Sequence, residues 1–198
     1  MRKVKKTIRI GVCGIHTGAG ATHVSHMLAL YLAGCRRKKT VVLEGDGKAS
    51  FRQLEKYLFG RCGEESFRMR RCIYRCDAAE EGTEAADYIV YDAGSGSCCR
   101  YDLLFSCDQY IAVGSGGVFY RGEWEDFLGA KEVRERICLR GMQDWRFLKN
   151  HARSGREEIL TLRVNGKKQN IRVYGLGAEE NLLHLSKEAQ RLIEKMDI

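Results

Sequence analysis

One short segment constrains this chain more than any other: Gly14-Ile-His-Thr-Gly-Ala-Gly-Ala-Thr-His23, set between an apolar run and an amphipathic stretch. Upstream, Arg9–Cys13 within IRIGVCG reads as a β-strand closed by glycine. Downstream, Val24, Met27, Leu28, Tyr31 and Leu32 fall at i, i+3, i+4, i+7 and i+8, the spacing of one buried helix face. Gly34 is a plausible end for that helix. Glycines at 14, 18 and 20 allow the backbone to curl with successive N–H groups pointing inward. Together with the helix N-terminus this makes a nest suited to phosphate. The same residues also read as an ordinary glycine-rich turn without a ligand, because the lysine that such loops usually carry is missing.

The rest of the chain alternates between short β-branched runs and helical stretches. Thr40–Leu43, Tyr88–Tyr91, Tyr110–Val113 and Trp145–Leu148 read as strands. Helical patterns cover Phe51–Phe59, residues 122–140 and Leu185–Met196. Strands separated by more than hairpin-length links predict an α/β fold with a mostly parallel sheet and helices on both faces. Ligands in such folds bind beyond the carboxyl ends of the strands, where this sequence places its glycines and carboxylates. The segment 157–174 reads two ways. It is a hairpin around Asn165–Gly166, or a crossover helix followed by a strand; the parallel arrangement favours the second.

Composition narrows the class. At 198 residues, with 44% hydrophobic and 30% charged, the chain can bury one good core and is read as a single domain over 1–198. No apolar run approaches the roughly 20 residues of a membrane span. The basic start MRKVKKTIRIGVCG leads into the glycine loop after too short an apolar stretch for a signal peptide, so the protein is expected unprocessed and cytoplasmic. The nine cysteines then read as reduced thiols. Neither Cys72 with Cys76 nor Cys98 with Cys99 has a second pair at zinc spacing. His26, His151 and His184 read as structural, and Trp124 and Trp145 as core anchors. The net charge of +8 concentrates in residues 1–9 and in 131–172, where twelve basic residues face five acidic ones. These stretches offer a route to nucleic acid or read as a solvated basic face.

The glycine loop and three landmarks after it resemble the MinD/ParA group of P-loop ATPases, whose loop reads Lys-Gly-Gly-Val-Gly-Lys-Thr-Thr. His16-Thr17-Gly18-Ala19-Gly20-Ala21-Thr22-His23 occupies those eight positions. The resemblance implies a P-loop NTPase-like three-layer sandwich, with Gly14, Gly18 and Gly20 shaping the loop. His16 stands where the signature lysine reaches a partner subunit's phosphates, and Ala21 where a lysine holds the β- and γ-phosphates. Thr22 keeps the hydroxyl that ligates Mg²⁺, with His23 following it. Glu44 and Asp46, in VVLEGD, match the carboxylates after the second strand, Asp46 as the water-orienting catalytic group. Asp92, closing DYIVYD, matches the Mg²⁺-side carboxylate, so that Thr22, Glu44 and Asp92 form the implied metal set. Asn150 matches the asparagine that reads adenine. The resemblance covers about residues 7–150.

The departures shape the functional expectation. Losing a charge-assisted contact worth about 1.5–3 kcal/mol weakens phosphate binding by one to two decades. Hydrolysis suffers more, since that lysine also stabilises charge on the transferring phosphoryl group. The resemblance therefore implies a regulatory or positioning protein that binds ATP or ADP with Mg²⁺ weakly, or not at all, and acts through a protein partner. A homodimer is compatible with it. A slow Mg²⁺-dependent ATPase and a nucleic-acid binder using 1–9 and 131–172 are the alternatives. In the last helix Lys187, Arg191 and Lys195 balance Glu188, Glu194 and Asp197. Packing on the sheet is therefore expected, without stable membrane association.

Overall fold

The computed structural model describes residues 6–60, 65–83, 85–115, 120–150, 152, 156–177 and 183–198. The strands are β1 (Ile8–Gly14), β2 (Thr40–Glu44), β3 (Ser66–Met69), β4 (Cys72–Arg75), β5 (Tyr88–Ser95), β6 (Gln109–Ser115), β7 (Trp145–Asn150), β8 (Glu157–Val164) and β9 (Lys167–Gly175). The helices are α1 (Ala21–Leu30), α2 (Ser50–Phe59), α3 (Tyr101–Phe105), α4 (Arg121–Gly129), α5 (Lys131–Arg140) and α6 (Lys187–Lys195). All the strands join one sheet in the order β3-β4-β2-β5-β1-β6-β7-β9-β8. From β4 to β9 the neighbours are parallel, and only the outermost strands, β3 and β8, run antiparallel. The expected fold class is the one observed.

The central strands are apolar at nearly every position because both of their faces are covered. Along β2 all five residues are buried, and successive side chains enter opposite layers. Val42 joins Ile10, Val12 and Val90 beneath α1, α2 and α6, through Met27, Leu28, Phe51, Leu192 and Ile193. Val41 and Leu43 join Ile89 and Tyr91 beneath α3, α4 and α5, with Leu104, Trp124, Phe127, Val133 and Trp145. Both tryptophans are core anchors, as expected. His26 is buried in the first layer and bonds the Tyr74 hydroxyl at 2.8 Å. His151 lies outside the described residues.

Three elements depart from the sequence reading. Residues 157–174 form the β8–β9 hairpin, not a helix followed by a strand. Asn165 and Gly166 both have positive φ, 50° and 76°, the combination a type I′ turn demands. The antiparallel edge strand β8 itself carries the chain back, so β9 lies parallel to β7 without a crossover helix. The long helix read over 122–140 is two helices, broken at Ala130, whose ψ of 140° is extended. A further hairpin, β3–β4, turns at Arg70 with φ 56°. It buries Phe67, Met69, Cys72 and Tyr74 on one side.

Helix α1 begins one residue past Gly20 and widens after Leu30 into an i→i+5 turn, Arg36 N–H donating to the Tyr31 carbonyl at 3.0 Å. Helix α6 starts at Ser186, whose side chain accepts from Ala189 N–H at 3.1 Å. Its apolar residues Ala189, Leu192 and Ile193 are buried against the layer that holds α1. No helix among the described residues is long and apolar enough to cross a membrane.

Candidate functional site

The loops after β1, β2 and β5 converge at the carboxyl end of the sheet, and a glycine stands at each point of contact. A Cβ on Gly14 would lie 2.6 Å from the Ser95 Cβ, so the end of β1 touches the end of β5. One on Gly45 would lie 2.9 Å from the Asp92 carbonyl, to which Gly45 N–H donates at 2.8 Å. One on Gly94 would lie 2.7 Å from the Asp46 Cβ, and one on Gly96 3.2 Å from Thr17 N. Any side chain at these positions would push the loops apart. Residues 14–20, 45–48 and 92–96 thus share one site at the head of the sheet, where parallel α/β sheets bind ligands.

Within the first loop, Gly18 and Gly20 have φ of 80° and 97°. Gly20 is the left-handed residue immediately before α1, and Ala19 N–H closes a turn on the His16 carbonyl at 3.2 Å. Helix α1 has no side-chain cap and no acidic residue in its first turn. The positive end of its dipole therefore opens into the site, a suitable field for an anion. Ala21 is the first helical residue and is buried, while Thr22 and His23 are half-buried.

Asp92 sits beneath this helix end with no exposed surface. One carboxylate oxygen accepts from Gly94 N–H at 3.3 Å, while Oδ2 has no hydrogen-bond partner among the described residues. Burial pushes the carboxyl pKa from 3.8 up to about 6. The Thr22 hydroxyl and Gly94 N–H act against that rise, whereas the charges of Asp46 and Glu44 add to it. A buried carboxylate with an idle oxygen, a hydroxyl beside it and two further carboxylates nearby would gain most from a cation.

Asp46 has a nearly buried side chain and pairs with Lys48, Nζ to Oδ2 at 3.0 Å. Glu44 is buried and turned towards α2: its two oxygens accept from Ser50 N–H at 2.6 Å and Phe51 N–H at 3.3 Å. It therefore closes the N-terminus of α2. Desolvation raises its pKa, partly offset by those two bonds.

His16 is tied down within the chain. Its Nδ1 lies 2.9 Å from the Thr17 carbonyl and Nε2 lies 2.9 Å from the Ser115 hydroxyl. Glu123 Oε2 is 3.4 Å from Nε2, and the ring stacks on Tyr120 at 5.5 Å. Because a carbonyl can only accept, Nδ1 carries a proton. Asn150 ends β7 in a buried position under the loop, where its amide donates to the Ala19 carbonyl at 3.2 Å. Lys48, Ser115, Tyr120 and Glu123 escaped the sequence reading. For the last three no local signal exists, since they reach His16 from elements a hundred residues away. Lys48 had one, lying two residues past Asp46.

Among the described residues, several cations of the basic stretches have partners within the chain. Residues 1–5 lie outside the described residues, while Lys6 pairs with Asp108 at 3.0 Å and Arg9 with Glu80 at 2.8 Å. Arg136 donates to the Tyr110 hydroxyl and lies over the Phe105 and Tyr110 rings. Arg146 donates to the Met196 carbonyl, Lys149 pairs with Glu158, and Arg172 with Glu157 at 3.0 Å.

No family model matches the sequence, and no curated protein matches it. Solved structures do share its fold. A plasmid partition protein from Borrelia burgdorferi superposes with a TM-score of 0.55 at 14% identity, over 74% of this chain and 80% of that one. A B. burgdorferi protein described as a plasmid partition protein and bound to AMPPNP gives 0.52 at 13% identity, over 74% and 75%. A chain of the MinC:MinD cell division complex of Aquifex aeolicus gives 0.53 at 16% identity, over 73% and 69%. The architecture is that of the ParA/MinD P-loop NTPases.

Proposed function

We propose that this protein is a degenerate ParA/MinD-like P-loop protein that binds a nucleoside polyphosphate weakly, hydrolyses it poorly or not at all, and acts through a protein partner. The observation that carries the reading is Asp92: buried, raised to about 6, with one oxygen idle, at the foot of a glycine loop and an uncapped helix end. The loop's N–H groups and the α1 dipole would receive phosphate oxygens. Thr22 and Asp92 would hold Mg²⁺, which needs few protein ligands because phosphate and water complete its shell. That requirement suits a site where Glu44 is already engaged with α2. Bound Mg²⁺ would neutralise phosphate charge.

Hydrolysis has less support. Ala21 supplies no cation for charge developing on a transferring phosphoryl group. His16, held by Thr17, Ser115 and Tyr120, would have to leave those contacts to reach another subunit. Asp46 remains the residue to orient water in the slow-ATPase alternative. Asn150 braces the loop here, and reading adenine would require it to release the Ala19 carbonyl. One of the structural neighbours was solved with AMPPNP and another in complex with MinC, which supports a nucleotide and a protein partner for a chain of this fold.

The test is a calorimetric titration of ATP and ADP with and without Mg²⁺, alongside a turnover assay. The reading expects Mg²⁺-enhanced binding and negligible turnover. Steady turnover by the purified protein would move it to the ATPase class, and silence in both assays would remove the nucleotide altogether.

A further inference from the structure

The site has lost the cation of its glycine loop, yet a lysine stands on the opposite wall. Lys48 is clamped to Asp46 at both ends of its length: its N–H donates to Oδ1 at 3.1 Å and its Nζ lies 3.0 Å from Oδ2. Gly47, with φ 68° and open space where a Cβ would stand, makes the reversal that folds the lysine back over the aspartate. The Asp46 side chain is 4% exposed and the Lys48 side chain 42%, so the ammonium covers a buried carboxylate and faces outward from it. Asp46 in turn packs on Gly94, two residues past Asp92, and Gly96 packs on Thr17 of the phosphate loop. The ammonium therefore belongs to the same convergence of loops as Thr17, Thr22 and Asp92.

We infer that Lys48 replaces the missing loop lysine, supplying from the β2–α2 turn the positive charge that meets the terminal phosphates of a bound nucleotide. The inference rests on the nucleotide reading above and names the residue that makes such binding feasible. A polyphosphate entering this site meets the carboxylates of Asp46 and Asp92, and Ala21 offers nothing to offset them. A lysine is a compact charge on a flexible four-carbon stem, so Nζ can leave Asp46 for a phosphate oxygen by side-chain rotation alone. The exchange replaces one charge-assisted contact with another and frees Asp46 at the moment phosphate arrives. Hydrogen bonding to Asp46, with the charge of Asp92 behind it, raises the lysine pKa and keeps it protonated.

The experiment is a titration of ATP, ADP and AMP into the wild type, Lys48→Ala, Lys48→Arg, Ala21→Lys and the double variant Ala21→Lys/Lys48→Ala, each checked by thermal melting. The expected result is ATP binding weakened about tenfold in Lys48→Ala and largely kept in Lys48→Arg. AMP, which lacks the β- and γ-phosphates, should bind wild type and Lys48→Ala alike. Ala21→Lys should restore the Lys48→Ala protein, because a charge returned from the loop makes the second source redundant. If wild type and Ala21→Lys bind ATP but Lys48→Ala binds equally well, Lys48 is a surface partner of Asp46 and the inference falls while the nucleotide reading stands. Weakening in Lys48→Ala that Ala21→Lys does not repair, or that AMP shares, would mean a structural role and also overturns it. If neither wild type nor Ala21→Lys binds ATP, the nucleotide reading fails and takes the inference with it.

Discussion

Asp92 is where stability and proposed function oppose each other. Its pKa lies at about 6 against an ordinary 3.8, so the folded state holds this proton to higher pH than the unfolded chain. The penalty for ionising it is absent below about pH 4 and fully present above about pH 6, and amounts to about 3 kcal/mol. Wild type should therefore lose about that much stability relative to Asp92→Asn between pH 4 and pH 7, measured by urea denaturation of both proteins. With ATP present, adding millimolar Mg²⁺ should raise the wild-type melting temperature further and add nothing in Asp92→Asn. An unchanged stability difference across that pH range would mean that the carboxylate is solvated. A second residue-scale prediction concerns Ala21. It is buried at the head of α1, so a lysine there must run its stem along the loop to bring its ammonium to the phosphates. Ala21→Lys should tighten ATP binding about tenfold, read by calorimetry. No gain in a folded protein would argue that position 21 does not face the phosphates.

Elements were legible in the sequence to the extent that their signals were local. The runs IRIGVCG, TVVL, YIVYD and YIAV identified β1, β2, β5 and β6, because strands covered on both faces leave unbroken apolar runs. The glycines at 14, 18 and 20 marked the loop because only glycine relieves positive φ and close backbone approach together. Other features depended on what the chain does elsewhere. Residues 157–174 carried the Asn165–Gly166 turn signal, but the demand for a parallel sheet outweighed it; nothing local showed that an edge strand would serve as the return path. The β3–β4 hairpin went unread, because SFRM and CIYR are only four residues each and the turn at Arg70 lacks glycine or asparagine. The bond between Asn150 and Ala19 and the stacking of Tyr120 on His16 join positions over a hundred residues apart and have no sequence signature. A test at this scale is Gly20→Ala. The new Cβ would be left-handed and 2.1 Å from the Asn150 amide, so it should cost about 1–3 kcal/mol and abolish nucleotide binding. Gly18→Ala, with open space at its Cβ, should lose only the backbone part. Equal melting temperatures for Gly20→Ala and wild type would show that the loop is not braced by β7.

At the scale of the whole molecule, a net charge of +8 keeps the nucleic-acid alternative open to test. Arg136, Arg146, Lys149 and Arg172 already have partners within the chain. DNA binding should therefore be weak at 50 mM salt and gone by about 200 mM, measured by fluorescence anisotropy with a short duplex. Tight binding that persists at the higher salt would restore the nucleic-acid alternative. The account as a whole depends on whether three converging loops with one idle carboxylate oxygen form a phosphate site. A titration of the purified wild-type protein with a fluorescent ATP analogue, with and without Mg²⁺ and against Asp92→Asn, tests this most directly. The account predicts saturable binding that Mg²⁺ strengthens in wild type and does not strengthen in Asp92→Asn. No saturation at millimolar nucleotide, or binding in which Mg²⁺ and Asp92 make no difference, would contradict it.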